Sequence, residues 1–264
     1  MSKNFFNTYG YKEGKRFVSV IDQEGYGYPT EPMANTQDNI CFYRYNYDNI
    51  HPMVSAIFTK NMSIDAFVKG GDVMMNGNLK ISEPLLVANK LKVNLNGNTI
   101  TSDAFSESNG VISTGNSDCY PLWVKNGGEL TIEGNGKVIA KEATYSMAVW
   151  VQGGKLIING GKFYNGGDGC DLIYVSNGGE AHIYGGEFHA TKRSSEVPGT
   201  KNEYSALNIK DSDRATSKIL VYGGRFYGFN PANNLSEGPN TNFVAEGYES
   251  VEVSPNVWQV KKVE

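Results

Sequence analysis

The stretch LWVKNGGELTI at residues 122–132 decides the fold, because the chain repeats it. VWVQGGKLII at 149–158 and IYVSNGGEAHI at 173–183 align with it on their paired glycines, and a fourth copy is split into LNI at 207–209 and KILV at 218–221. Each copy is followed by a second glycine turn and a short strand: GNGKV at 134–138, GGKF at 160–163, GGEF at 185–188 and GGRF at 223–226. The steps Leu130 to Leu156 to Ala181 to Ile219 are 26, 25 and 38 residues, the last being one repeat plus 13 inserted residues (38 − 25). Apolar and polar residues alternate with a period of two, which is strand patterning and not helical patterning. Three short strands in about 25 residues fit one turn of a parallel β-helix, whose turns stack about 4.8 Å apart. A propeller blade would need about 40 residues and antiparallel hairpins. The expected fold is therefore all-β, a right-handed parallel β-helix.

The alternation assigns faces. Leu130/Ile132, Leu156/Ile158, Ala181/Ile183 and Ile219/Val221 should point inward and stack, as should Phe163, Phe188 and Phe226. One position earlier, Glu129, Lys155, Glu180 and Lys218 form a ladder of alternating charge. Opposite charges facing each other across paired strands stabilise by about 0.2–1 kcal/mol, and like charges repel.

The winding starts before the clear repeats. Ser63 to Gly70 reads as a short capping helix, with Ser63 as N-cap and Gly70 as its C-terminal stop. Strands follow at Val73–Met75, Leu79–Ile81, Leu85–Val87 and Leu91–Leu95, with a turn at Asn96-Gly97-Asn98. At the other end, Ser250–Val253 and Val257–Val260 flank Ser254-Pro255-Asn256 and read as a closing hairpin. The expected units are an N-terminal arm at 1–62, the β-helix at 63–228 and a C-terminal cap at 229–264.

Composition agrees. The 264 residues hold 31 Gly and 28 Asn against 12 Leu, a balance that suits turns and disfavours helical bundles. Net charge is −4, which leaves no basic footprint for nucleic acid. No apolar run reaches the ~18 residues of a membrane helix, and the N-terminus lacks the apolar core of a signal peptide. The chain is expected to be soluble, without membrane insertion or export by that route. Residues 1–62 lack the period and hold 12 Phe and Tyr, with six basic and six acidic residues. Two readings stand for them: a small irregular subdomain on the first turn, or an arm that orders against another protein. Phe5, Phe6, Phe42, Tyr43, Tyr45 and Tyr47 are the anchoring candidates, since aromatics are enriched at interface cores.

GGDVMMNGNLKISEPLLV at 70–87 and VNLNGNTI at 93–100 resemble the opening of pectate-lyase-like β-helix domains. GFNPANN at 228–234, EGPNTNFVAEGY at 237–248 and NVWQV at 256–260 are similar to the ends of β-helix proteins of tailed bacteriophages and their hosts. The resemblance covers about residues 63–264 and speaks to fold more than to activity, because one fold hosts many functions. An arm ahead of a β-helix is similar in layout to phage head fibres, decoration proteins and tailspikes. That layout implies docking to other virion proteins through residues 1–62, and a homo-oligomer with a trimer favoured.

For the enzymes of that family the resemblance implies a carboxylate cluster with a basic residue, or paired Asp. Asp168, Asp171, Asp211 and Asp213 are the candidates, but all sit in Gly- or Ser-rich loops where Asp is ordinarily a turn former. The three His are not spaced as a zinc site, which needs three or four supporting ligands. No catalytic residue, metal or cofactor is assigned. Cys119 and Cys170 occupy equivalent repeat positions with Ser146 between, so they lie about 10 Å apart, too far for a disulfide; all three cysteines, Cys41 included, are expected as thiols.

Two outward ladders remain, Trp123/Trp150/Tyr174 ending at Asn208, and Tyr164/His189/Tyr227. They read as mutual stacking, as a platform for sugar rings, or as a subunit interface. On the second-strand face Ile157, Leu220, Tyr184 and Tyr222 favour an interface. Trp123, Trp150, Tyr174, Tyr184 and Tyr222 are thus the glycan or partner-binding candidates. Loops at 104–120, 141–146, 165–171 and 191–204 gather at one corner. The expected function is a non-enzymatic virion structural protein, assembled in the host cytoplasm, projecting outward and contacting a host-surface glycan. The alternative is a polysaccharide-binding or polysaccharide-degrading depolymerase.

Overall fold

The computed structural model describes residues 71–264 except 76–77, 82–83, 103–104, 109–110, 115–117, 142–144, 166–170 and 191–205. Before residue 71 it describes four strands: Val20–Ile21, Gly27–Tyr28, Cys41–Tyr45 and Val54–Phe58. The expected helix at 63–70 lies outside the described residues.

The chain is nearly all β, and its principal strands form three sheets that it visits in rotation. Sheet I holds Leu85–Val87, Leu122–Lys125, Val149–Gln152, Ile173–Ser176 and Leu207–Ile209, all parallel. Sheet II holds Gly71–Met75, Lys90–Asn94, Glu129–Glu133, Lys155–Ile158, Glu180–Ile183 and Lys218–Val221, again parallel. Sheet III holds Leu79–Ile81, Thr99–Ser102, Lys137–Ala140, Lys162–Asn165, Glu187–His189 and Gly224–Tyr227. The register is the one read from the sequence: Leu130 pairs with Leu156, Leu156 with Ala181 and Ala181 with Ile219.

Parallel pairing between strands one unit apart places like residue on like. The inward residues of all three sheets form one buried cluster, with Leu130, Leu156, Ala181, Phe163, Phe188 and Phe226 wholly buried. The three Phe rings stack, Phe163 on Phe188 at 5.0 Å and Phe188 on Phe226 at 4.6 Å. The charge ladder also stands as expected, extended by Lys90 below Glu129. Lys90 meets Glu129 at 2.9 Å and Lys218 meets Glu180 at 2.9 Å.

The glycine pairs have two distinct jobs. Between sheets I and II the first glycine takes a left-handed backbone (Gly153 φ +74°, Gly178 φ +78°), which L side chains rarely adopt. The second lies against the previous unit: a Cβ on Gly154 would sit 2.5 Å from Lys125 O, and one on Gly179 2.9 Å from Val151 O. Between sheets II and III the order reverses, with Gly185 in close approach (2.8 Å from Asn159 O) and Gly186 at φ +105°. Each pair is thus required twice over.

The parallel sheets carry antiparallel additions at both ends. Gly224–Tyr227 pairs with Val257–Lys262, which pairs with Tyr248–Ser254, so the expected closing hairpin covers the last edge of sheet III. Asn256 (φ +58°) makes its turn after Pro255. The last edge of sheet II is met by residues 243–245, with Val221 N–H donating to Phe243 O at 2.8 Å and Ala245 N–H to Val221 O at 2.9 Å. At the N-terminal end, Cys41–Tyr45 pairs with Gly71–Met75 on one side and Val54–Phe58 on the other. Part of the arm thus continues sheet II through Cys41–Tyr45. Covering an open sheet edge is what that strand pairing achieves.

The loop expected at 104–120 is instead largely strand. Phe105–Ser108 pairs with Val111–Thr114 and with Asp118, and Asp118–Cys119 pairs with Tyr145–Ser146. Cys119 is a buried thiol beside Ser146, as its repeat position required; its sulfur lies 3.2 Å from Ser102 Oγ and accepts from Lys141 N–H at 3.0 Å. Cys41 lies on a described strand, and Cys170 falls outside the described residues.

Truncating the middle ring of the Phe stack should open a cavity that rigid sheets cannot close. Phe188→Ala is expected to lower unfolding free energy by about 3–5 kcal/mol, read by chemical denaturation. A loss under about 1 kcal/mol would contradict this placement.

Candidate functional site

The outer face of sheet I carries Leu86, Trp123, Trp150, Tyr174 and Asn208 in register. The Trp rings lie parallel, 5.1 Å between centroids and 5° between planes. Lys125 Nζ sits 3.8 Å over Trp123, and Tyr120 stands edge-on to both indoles at 5.4 and 4.9 Å. Both indole nitrogens are engaged, Trp123 Nε1 donating to Gln152 Oε1 at 3.2 Å and Trp150 Nε1 to Ser176 Oγ at 2.9 Å. Trp123 is 5% exposed. One ring face of Trp123 meets Trp150 and the other meets the Lys125 ammonium. Mutual stacking accounts for this pair.

Tyr174, next in the column, lies among acids. Its phenol is pushed up to about 12, by burial first and then by the charges of Asp171, Asp211, Asp213 and Glu237. These carboxylates are occupied. Asp171 Oδ2 accepts from Asn208 Nδ2 at 2.8 Å, and Asp213 Oδ2 accepts from Asn177 N–H at 2.6 Å. Glu237 accepts from Ile209 N–H at 2.6 Å and from Arg214 Nε at 2.7 Å, while Arg214 Nη2 donates to Asp211 Oδ1 at 2.7 Å. Burial raises the Glu237 carboxyl, and the Ile209 N–H and Arg214 work against that rise. The Asn177 N–H, with Ser212, lowers the Asp213 carboxyl. Glu237 was missed by sequence reasoning, because its irregular segment carries no repeat to place it beside residues 209–214. Asp168 lies outside the described residues.

Sheet III presents Tyr164, His189 and Tyr227 as a closed stack, 4.4 and 4.2 Å between centroids. Glu187 lies 3.4 Å from His189 Nε2 and 3.1 Å from Lys162 Nζ. Sheet II presents Ile157, His182 and Leu220 in one row. Beside that row Tyr184 stacks on Tyr222 at 4.6 Å, and Tyr248 stands edge-on to Tyr222 at 5.4 Å. Tyr184 is 51% exposed. His182 and His189 lie on different sheets, each beside its own Glu. Among the described residues, no group of three or more His, Cys, Asp or Glu could hold a metal, and no helix is long and apolar enough to cross a membrane. Of the anchoring candidates, Phe42, Tyr43 and Tyr45 fall on the strand Cys41–Tyr45; Phe5, Phe6 and Tyr47 lie outside the described residues.

The His189 ring has a pH consequence. Burial holds its pKa below the ordinary histidine value; Glu187 opposes this, and Lys162 and Lys137 add to it. The unfolded chain therefore binds the proton more readily, so the contribution of His189 is complete above about pH 6.5 and declines as the pH falls below that. His189→Phe keeps the stack and removes the titration. Wild-type stability should fall more than the variant's between about pH 7.5 and pH 5.5, by denaturant midpoints; parallel declines would contradict the assignment.

Comparison with family models, with curated proteins and with solved structures returned no match for this chain.

Proposed function

We propose that the chain is a non-enzymatic structural protein of a bacteriophage virion, of the head-fibre, decoration or tail-fibre kind. Its three-sheet winding is a right-handed parallel β-helix that projects from the particle. Residues 1–62 dock it to other virion proteins, it works as a homo-oligomer with a trimer favoured, and its outer surface meets the host. The observation that carries the non-enzymatic part is the use made of the corner carboxylates. Asp171, Asp213 and Glu237 accept hydrogen bonds that tie neighbouring strands and loops together. Arg214 bridges Asp211 and Glu237. Carboxylates spent in this way are poorly placed to deliver or remove a proton at a substrate. The virion part is supported by the resemblance of the segments at 228–234, 237–248 and 256–260 to the ends of phage and host β-helix proteins, and by the contrast between a repetitive body and an aromatic-rich, non-repetitive N-terminal segment.

Two experiments test the reading. Deleting residues 1–19 removes five aromatics and none of the described strands. The shortened chain should remain folded by circular dichroism and lose roughly tenfold or more of its incorporation into particles, as expected when aromatic anchors go; normal incorporation would refute the docking. Glu237→Ala should cost about 2–3 kcal/mol of stability, as for other charged hydrogen bonds broken on one side. If instead Asp211→Asn kept the fold but abolished measured breakdown of a host polysaccharide, the depolymerase alternative would replace this one.

A further inference from the structure

In a column of rings stacked through strand register, each interior ring spends both faces on its neighbours, so a ligand that needs an open face must bind at a column's end. Below Trp123 the face is closed by Lys125 Nζ at 3.8 Å. Below Tyr164 lie Ile139 in register and Lys137 Nζ at 5.9 Å. Above Tyr227 the column passes to Val257 of the closing hairpin. Tyr174 lies between Trp150 and Asn208 in register, with Asn208 Nδ2 held by Asp171 on that side. Tyr222 has Tyr184 on one face and Tyr248 against it edge-on. Among the described residues that leaves Tyr184, whose second face turns away from Tyr222 and whose side chain is half exposed.

What lies along the column on that side is polar and short. Tyr184 N–H donates to Ile158 O at 2.8 Å and Asn159 N–H to Ile132 O at 2.8 Å, so the parallel register continues and Asn159 sits one unit before Tyr184. Asn159 is exposed. One unit further is Glu133, paired in register with Asn94 and held by Lys92 at 3.0 Å. Gly160 and Gly185 flank the column in close backbone approach, so no side chain crowds it from there. The stack on Tyr222 fixes the ring, and an amide (Asn159), a carboxylate (Glu133) and a second amide (Asn94) follow at steps of about 4.8 Å, with the Lys92 ammonium reaching Glu133 from the side.

We propose that Tyr184 with Asn159 and Glu133 forms a carbohydrate subsite that takes a pyranose ring. The π face of Tyr184 is electron-rich and attracts the weakly positive C–H face of a sugar chair. The Asn159 amide offers both donor and acceptor to the sugar's equatorial hydroxyls, and Glu133 offers acceptors alone. A protein hot spot would ask for a ring set in desolvated apolar surroundings, and the open side of Tyr184 is polar. The subsite deepens the host-surface part of the proposed function and rests on it, whereas particle docking through residues 1–62 stands or falls separately.

The test uses the full-length chain and a panel of methyl pyranosides (glucose, galactose, mannose, rhamnose and N-acetylglucosamine) in ligand-observed saturation-transfer NMR. At least one should receive saturation, strongest on its C–H face. Tyr184→Ala should weaken that binding roughly tenfold, Tyr184→Phe should retain it, and Asn159→Ala should weaken it about fivefold. Trp150→Ala should leave it unchanged. Melting curves establish that each variant is folded. No transfer from any sugar of the panel, or transfer that survives Tyr184→Ala, overturns the proposal. Self-association that is lost in Tyr184→Ala without any sugar binding likewise overturns it and gives the ring to a subunit contact. Incorporation of Tyr184→Ala into particles, measured in parallel, reads the docking and not the subsite.

Discussion

Hydrogen bonding between strands one repeat apart, and not between strands adjacent in sequence, is the constraint on which everything else depends. Once Leu130 lies over Leu156, every position inherits its neighbour from the repeat. Apolar residues meet apolar residues in the interior, rings meet rings at 4.2–5.1 Å, and glutamates meet lysines. A like-charged pair is the one costly outcome of such stacking. It occurs at Lys137 and Lys162, where Glu187 draws Lys162 to 3.1 Å and Lys137 leans over Tyr164. The glycine pairs enforce the arrangement, since one member permits the left-handed corner and the other permits backbone to touch backbone.

The same constraint shapes what the surface can do. Ladders of rings look like binding platforms in a list of residues, yet in the fold their faces are turned toward one another. Aromatic content on such a scaffold is therefore chiefly cohesive, each offset-stacked contact adding about 0.5–1.5 kcal/mol beyond burial. Function moves to the ends of ladders and to the corners, where the repeat is broken. The carboxylate-rich corner around Tyr174 follows this logic in the opposite direction. There the insertion at 210–217 and the irregular segment at 229–245 are stitched to sheet I by Asp213, Arg214 and Glu237, so charge replaces the missing register.

Most of the parallel core was legible in the sequence because it is periodic. The register of the repeated strands, the buried Phe column and the alternating charges follow from aligning glycine pairs and counting by two, and the C-terminal hairpin from two strand runs around Ser254-Pro255-Asn256. What escaped was aperiodic. The corner hairpin Phe105–Ser108 with Val111–Thr114 was read as loop, although Asn109-Gly110 between two short β-prone runs is a strong two-residue hairpin signal. The junction of Cys41–Tyr45 with Gly71–Met75 joins a non-repeating segment to the first repeat, and no spacing rule could have placed it. The burial of Trp123 was not legible, because alternation tells inward from outward but says nothing of Tyr120 and Lys125, which close over it. Glu237 became visible only when residues 28 positions apart, Ile209 and Glu237, came into hydrogen-bond contact.

The central claim is the register, and backbone NMR tests it most directly. Parallel strands bring the Hα of one residue close to the amide proton beside its cross-strand partner. The account predicts nuclear Overhauser contacts that link Glu129 to Lys155, Lys155 to Glu180 and Glu180 to Lys218, each in parallel geometry. Antiparallel contacts between strands consecutive in sequence, such as 122–125 with 129–133, would contradict it.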